Sequence, residues 1–403
     1  MPTSRTLLIT VTGPDRPGVT AALFATLADY AVEVLDIEQS VLRDKLVLAI
    51  LVTAPSNHQS LVRSVHGTAS GLGLDIEVEQ GTGDSERRST GRAHVTVLGH
   101  RLTASALAAV SGRIADTGAN IDRIVRMARY PVTAIELHVS GADVLRLREL
   151  LAREAAQQQV DVAVQAAGLL RHGRRLVVMD VDSTLVMGEA IDRLAAEAGV
   201  GEQVAALTAQ AMSGALDFET ALRQRVSLLA GLEVSALERA HAALSLTPGA
   251  RTLVRTLARM GYGLALVSGG FGAVTRRLAA ELDIADTVSN ELEVAEGRLT
   301  GRLAGPVLDA RGKAAALHRF ASSHGLAADR TVAIGDGAND VEMLAAAGLG
   351  IAFNAKPTVR EYADTALSVP YLDTIMYLLG ITREDVETAD EQDGIETPHP
   401  PLG

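Results

Sequence analysis

A short apolar run, Leu176 to Met179, leads directly into Asp180-Val181-Asp182-Ser183-Thr184. Two carboxylates at i and i+2, where a strand gives way to a turn, point the same way and can divide nucleophile and proton-transfer roles. An Asp-rich turn capping the next helix has the same composition. A second run, Leu264 to Val267, ends in Ser268-Gly269-Gly270, which bares a hydroxyl and backbone N–H groups that phosphate oxygens can approach closely. A third, Thr331 to Ile334, ends in Gly335-Asp336-Gly337-Ala338-Asn339-Asp340. Asp336 can complete a magnesium site with Asp180, and Asp340 can support that shell from behind. A calcium-type loop is the competing idea, but the twelve-residue ligand pattern and its final Glu are missing. Lys313 opens a helical segment 23 residues before Asp336. From there it can reach the nucleophilic carboxylate and the phosphate and reduce repulsion between two anions that must meet. It is one of three lysines, with Lys45 and Lys356, among 37 basic residues.

These motifs need a scaffold that brings several strand ends together. From Arg174 onward, fully apolar short runs alternate with helical patterns, which predicts a parallel sheet buried on both faces. Open α/β sheets of this kind bind ligands at the carboxyl ends of their strands. Between the first two runs lies an Ala/Leu-rich helical insertion, Glu189 to Leu246, large enough to form a cap. Ahead of Arg174 the texture is different. Strand, helix, two strands, helix, strand is read twice, with Leu27-Ala28-Asp29 answered by Ile114-Ala115-Asp116 and Ile37 by Ile124 at an offset of 87 residues. That order predicts two ferredoxin-like α+β modules. The resulting domain plan is 1–80, a linker 81–92 without an apolar side chain, 93–168, and an α/β domain 174–383 with its cap at about 187–247. The segment 384–403 carries seven acids, no bases and three prolines, and is expected to be a disordered tail.

Composition narrows the function classes. The formal charge of −12 argues against a bulk grip on nucleic acid or on an anionic membrane. Seven of those charges sit in the expected tail, leaving −5 elsewhere. No cysteine is present, so disulfides, thiol nucleophiles and thiolate metal sites are excluded, and any metal must be a hard one held by oxygen or histidine. No signal segment and no membrane span are read, and a cytoplasmic protein is expected.

In their order and placement, Asp-x-Asp-x-Thr, Ser-Gly-Gly, Lys and Gly-Asp-Gly-x-Asn-Asp resemble the haloacid-dehalogenase-like phosphatases, over about half the chain. The resemblance implies a Rossmann-like core with a helical cap. It further implies Asp180 as the nucleophile that forms an aspartyl phosphate and Asp182 as the acid and then the base. Mg2+ would be held by Asp180, the Asp182 carbonyl and Asp336, while Lys313 and Ser268, with the amides of Gly269 and Gly270, would face the phosphate. Within that superfamily the cap is similar to that of the phosphoserine phosphatases. Glu189 and Arg225 match residues that grip the ammonium and carboxylate of O-phospho-L-serine, Met212 and Phe218 match residues that shield the phosphate, and Asn339 matches a substrate contact. A related phosphotransferase acting on another alcohol, such as homoserine, shares the same catalytic motifs. The two leading modules resemble ACT domains, which implies a homodimer and L-serine as effector. Gly13-Pro14-Asp15-Arg16-Pro17-Gly18 matches that family's ligand loop, with Asp15 and Gly18 as candidate ligand residues, whereas the second module has Gly99-His100-Arg101-Leu102-Thr103 instead.

Overall fold

The structure is a computed structural model that describes residues 5–83, 91–212 and 215–398, with all their side chains except those of Leu170, His172 and Met212. They fall into two compact units, residues 1–88 and 89–403.

The first unit runs β1 (Arg5–Pro14), α1 (Val19–Ala28), β2 (Val34–Leu42), β3 (Lys45–Thr53), α2 (His58–Gly71) and β4 (Asp75–Thr82). Its antiparallel sheet has the order β2-β3-β1-β4. Along β1 and β3 every second residue, including Leu7, Ile9, Val11, Leu48 and Ile50, is buried against Leu23 and Leu27 of α1 and Leu61 and Val65 of α2. The period of two is the physical reason these runs form strands with one face on the helices. Gly81 and Thr82, expected in the linker, extend β4 opposite Thr6 and Arg5. They can do so because ladder hydrogen bonds need no apolar side chain.

The second unit starts with the same arrangement: β5 (Ala93–Gly99), α3 (Ala104–Asp116), β6 (Asn120–Ala128), β7 (Thr133–Ser140), α4 (Val144–Gln158) and β8 (Asp161–Ala166), in the order β6-β7-β5-β8. One face of this sheet packs on α3 and α4 through Val95, Val97, Val110 and Leu151.

The α/β domain follows with β9 (Leu176–Asp180) and the short β10 (Val186–Met187). Four cap helices come next, α5 (Ala190–Glu197), α6 (Gly201–Met212), α7 (Phe218–Ser227) and α8 (Ser235–Ala242), and β11 (Ser245–Leu246) pairs with β10 at the neck of the cap. The chain continues through α9 (Ala250–Arg259), β12 (Gly263–Phe271), α10 (Gly272–Glu281), β13 (Asp286–Ala295), β14 (Arg298–Ala304), α11 (Ala310–Ser323), β15 (Thr331–Gly335), α12 (Val341–Ala346), β16 (Leu349–Phe353), α13 (Pro357–Arg360), β17 (Thr365–Leu367), α14 (Ile375–Leu378) and α15 (Arg383–Gln392). The seven strands lie in the order β14-β13-β12-β9-β15-β16-β17, all parallel except β14. Val177 and Met179 face one core and Leu176 and Val178 the other, so β9 is apolar throughout. Chain order reverses across β9, which has β12 on one side and β15 on the other. That is the switch point where such sheets open a crevice.

Two features depart from the sequence reading. The second ferredoxin-like module is built into the α/β domain. Its other sheet face, with Leu98, Ala134 and Ala163, shares a core with Leu372, Ile375 and Leu378. Strand β8 lies along the sheet edge β17, where Thr365 Oγ1 donates to the Val162 carbonyl (3.0 Å) and the Ser368 N–H to Asp161 Oδ2 (2.7 Å). Gln165 Nε2 donates to the Leu378 carbonyl (2.6 Å), Arg148 pairs with Asp364, and Arg171 pairs with Glu136. The second departure is the acidic segment after Glu384, expected to be disordered, which begins with the helix α15 and is described as far as Pro398. Asp390 is fully buried and bound by Arg255 and Arg259 of α9 and by Thr397. Charge pairing holds this segment alongside the burial of Val386, which composition alone does not disclose.

Among the described residues no helix is long and apolar enough to cross a membrane.

Candidate active site

Asp180 closes β9, opposite Val267 of β12. The chain then turns back on itself through Ser183, whose φ of 58° is left-handed. Just before this turn, Asp182 Oδ1 accepts from the Ala190 N–H (2.9 Å) and its Oδ2 from the Ser268 hydroxyl (3.1 Å). Ser268 Oγ in turn accepts from the Gly270 N–H (2.9 Å). A Cβ on Gly270 would lie 2.4 Å from Asp182 Oδ2, so only glycine permits this approach. Asn290 on β13 holds the loop from behind, donating to the Gly269 carbonyl (2.8 Å) and accepting from the Leu308 N–H (2.7 Å).

Lys313, fully buried at the start of α11, donates to Asp180 Oδ1 and to Asp340 Oδ1, both at 2.6 Å. Asp340 Oδ2 accepts from the Gly337 N–H (3.0 Å) and the Asp336 N–H (3.2 Å), so Asp340 ties the β15 loop to the lysine. Asp336 accepts from the Thr184 hydroxyl (2.9 Å). The mouth therefore holds four carboxylates against one ammonium. Burial, and then the Asp340 charge, push Asp336 up to about 7. The same two causes raise Asp180 well above the usual carboxylate range against the pull of Lys313. Burial also raises Asp182. For Lys313, burial acts downward but Asp180 and Asp340 outweigh it, so the ammonium stays charged.

Carboxylate oxygens of Asp180, Asp336 and Asp340 lie within 4.8 Å of one another. An all-oxygen cluster with uncompensated negative charge fits a hard divalent cation. Both oxygens of Asp340 are already held, Oδ1 by Lys313 and Oδ2 by the Asp336 and Gly337 amides, which leaves Asp180 and Asp336 as the carboxylates best able to turn toward such an ion.

Above the mouth is a cleft of about 620 Å³. Asp180, Asp182, Gly269, Gly270, Asp336 and Asn339 line its floor; Glu189, Phe218 and Arg225 line its cap side. Ser268 and Lys313 sit beneath this lining, 1% and 0% exposed. Glu189 precedes α5 and Arg225 lies in the last turn of α7. Arg225 Nη1 reaches Glu189 Oε2 at 3.4 Å and Thr208 Oγ1 at 3.3 Å. Glu219, the surface partner one could suppose for Arg225, instead binds Arg223 (2.7 Å). Met212 ends α6, but its side chain falls outside the described residues. Asp15 and Gly18 belong to the first unit, where Gly18 precedes α1 at φ 93° and Asp15 is exposed. Sequence reasoning missed Asn290, Thr208 and the floor residues Asn354, Lys356 and Thr358. For Lys356 a signal existed in its rarity.

Residues 177–345 match the haloacid dehalogenase-like hydrolases, and residues 5–79 and 91–165 each match the ACT domain. The phosphoserine phosphatase of Streptomyces coelicolor is 56% identical over 387 residues, covering 96% of this chain and 94% of the relative. This chain belongs to the phosphoserine phosphatase family. A second family member, from Mycobacterium tuberculosis, is 49% identical over 398 residues, 98% of this chain and 97% of its own. The unliganded crystal structure of a probable phosphoserine phosphatase from Vibrio cholerae superimposes with a TM-score of 0.56 at 30% identity, covering 74% of this chain and 88% of that one.

Proposed function

We propose that this enzyme hydrolyses O-phospho-L-serine to L-serine and phosphate. The observation that carries the substrate is the cap wall, where Glu189 and Arg225 bring opposite charges to the cleft that Asp180 floors. A small molecule with ammonium, carboxylate and phosphate satisfies both charges and the floor, and a planar guanidinium suits the carboxylate.

Asp180 attacks phosphorus through a carboxylate oxygen, and the bond to the serine oxygen breaks. Asp182 gives its proton to that leaving oxygen. It then takes a proton from the water that attacks the aspartyl phosphate, which frees phosphate and regenerates Asp180. Burial of Asp182 supports its starting protonated; at Asp180 the ammonium of Lys313 opposes the rise that burial and Asp340 impose, and a bound cation would add to that pull toward the ionised nucleophile. We assign Ser268, Gly269 and Gly270 to the phosphate oxygens, and Phe218 and Met212 to excluding water. Asp180, Asp336 and the Asp182 carbonyl would hold Mg2+, which when bound supplies the positive charge that a phosphate dianion needs in so acidic a mouth.

L-serine is the proposed effector, at the Gly13 to Gly18 loop of the first module, with a homodimer formed through the ACT domains. The first turn of α1 has no side-chain cap, so its amides can receive a carboxylate. A shift in activity on adding L-serine, abolished in Gly18→Val, is the expected result; an unchanged response in that variant removes the loop from the reading.

Phosphate release from phosphoserine, phosphothreonine and sugar phosphates, with and without Mg2+, tests the main reading. Phosphoserine should dominate, and only with the metal. Arg225→Ala should lower the preference for phosphoserine over an aryl phosphate, mainly through KM. Equal losses on both substrates would sink the cap assignment.

A further inference from the structure

Arg225 is 8% exposed, and a guanidinium carries five N–H donors. Both of its contacts at the cap wall fall on Nη1, to Glu189 and to Thr208, and Nε is buried with no hydrogen-bond partner. A fork so sparsely held needs something to aim it. Glu189 is poorly suited to that task. Its contact is the longer of the two, and under the proposed function its carboxylate turns to the substrate ammonium when the cleft fills.

Thr208 has different chemistry. It lies on α6, and its hydroxyl proton is committed to the Val204 carbonyl one turn earlier (3.0 Å). The hydroxyl rotor is therefore fixed, and a lone pair is left for Arg225 Nη1. Val204 is fully buried in the cap core, so the anchor does not move with the solvent. A neutral acceptor also leaves the positive charge of Arg225 available, whereas a carboxylate at the same place would compete with the substrate. Thr208 itself borders the cleft.

We propose that Thr208 is the positioning residue that aims Arg225 at the substrate carboxylate, by linking its guanidinium to the backbone of α6. Through this link the packing of α6 on α7 sets the distance between the phosphate and carboxylate subsites. This inference rests on the phosphoserine reading and deepens it.

The test compares Thr208→Val, Thr208→Ser, Arg225→Ala and the Thr208→Val/Arg225→Ala pair in the full-length enzyme. The substrates are phosphoserine and phosphoethanolamine, which keeps the ammonium and phosphate but has no carboxylate. Loss of a hydrogen bond to a charged group predicts that Thr208→Val lowers the phosphoserine-to-phosphoethanolamine ratio of kcat/KM about tenfold, mostly by raising KM. Thr208→Ser should restore the ratio, and Thr208→Val should have no further effect on it once Arg225 is Ala. If Arg225→Ala lowers the ratio but Thr208→Val does not, the positioning role falls and the cap reading stands. Equal losses on both substrates, failure of Ser to rescue, or additivity in the double variant also overturn it. If Arg225→Ala itself leaves the ratio unchanged, the cap reading fails first and takes this inference with it.

Discussion

Two sets of buried carboxylates in this molecule have opposite electrostatics. At the mouth of the sheet, Asp180, Asp182, Asp336 and Asp340 share one lysine, and burial with mutual repulsion lifts Asp336 to about 7. Where the second module and the α9 face meet the rest of the unit, Glu136 and Asp390 are each held by several donors. Glu136 is bound by Arg171 and lies 3.0 Å from a ring nitrogen of both His94 and His138. Asp390 is bound by Arg255 and Arg259. In both, burial acts upward but the bonds prevail, holding Glu136 at about 2 through His94 and Arg171 and Asp390 at about 2 through its two arginines. The lesson is that burial of an acid does not identify its role; the count of compensating donors does. Shortage leaves a site that calls for a cation, and surplus makes a fastening.

The same substitution in the two regions should give opposite phenotypes. Asp180→Asn is expected to lower phosphate release by at least about a thousandfold with little loss of Tm, since it removes the nucleophile. Asp390→Asn should keep kcat but cost about 2 to 3 kcal/mol in urea unfolding, because two arginines lose a buried partner. If Asp390→Asn lost turnover as Asp180→Asn does, the division between the regions would be wrong.

The next largest effect is on pH. Asp336 titrates higher in the fold than the ordinary carboxylate value of about 4, so the folded state binds more protons and metal-free stability should fall as pH rises from about 4 to 7. Stabilisation by Mg2+ should grow over the same range. At the fastening the sign is reversed. Glu136 and Asp390 titrate lower in the fold, so their contribution is complete above about pH 4 and is lost as pH falls toward 2. Thermal melts from pH 2 to 8, with EDTA and with Mg2+, check both signs. A metal-free Tm that rises between pH 5 and 8 would contradict the account of the mouth.

The smallest effect concerns a partly exposed pair at the same interface. Arg148→Met, which takes the guanidinium from Asp364 and leaves only its bond from the Gly350 N–H, should cost about 1 kcal/mol and leave KM unaltered. A change in KM would mean that the interface communicates with the cleft, blurring the contrast.

Much of the mouth could be read from sequence because its residues follow the strands that place them. Asp180 and Asp336 lie at or just past the end of a strand, Ser268 lies where β12 leaves its regular register, and Lys313 begins a helix. The duplicated α+β modules were legible for the same reason, since a period of two in short strands is local. Partners fixed only by tertiary packing were not. Asn290 reaches the Gly269 carbonyl from β13, and Thr208 meets Arg225 from another helix. The acidic C-terminal segment resembled disorder because Asp390 finds Arg259 and Arg255 131 and 135 residues away. Arg251, Arg255 and Arg259, spaced by four along α9, were the only hint, and such a row is equally at home on a solvated helix.

The contact of β8 with β17 also bears on solubility. Strand β17 is the last strand of the parallel sheet, and an uncovered sheet edge is a template for pairing with other chains. Here the second module lies over that edge and over the apolar surface around Leu372, Ile375 and Leu378. A catalytic fragment cut free near Arg174 would keep every residue of the mouth and cap yet expose both, so its weakness would be aggregation. In this chain the second ACT domain covers both the edge strand and the apolar surface of the phosphatase domain.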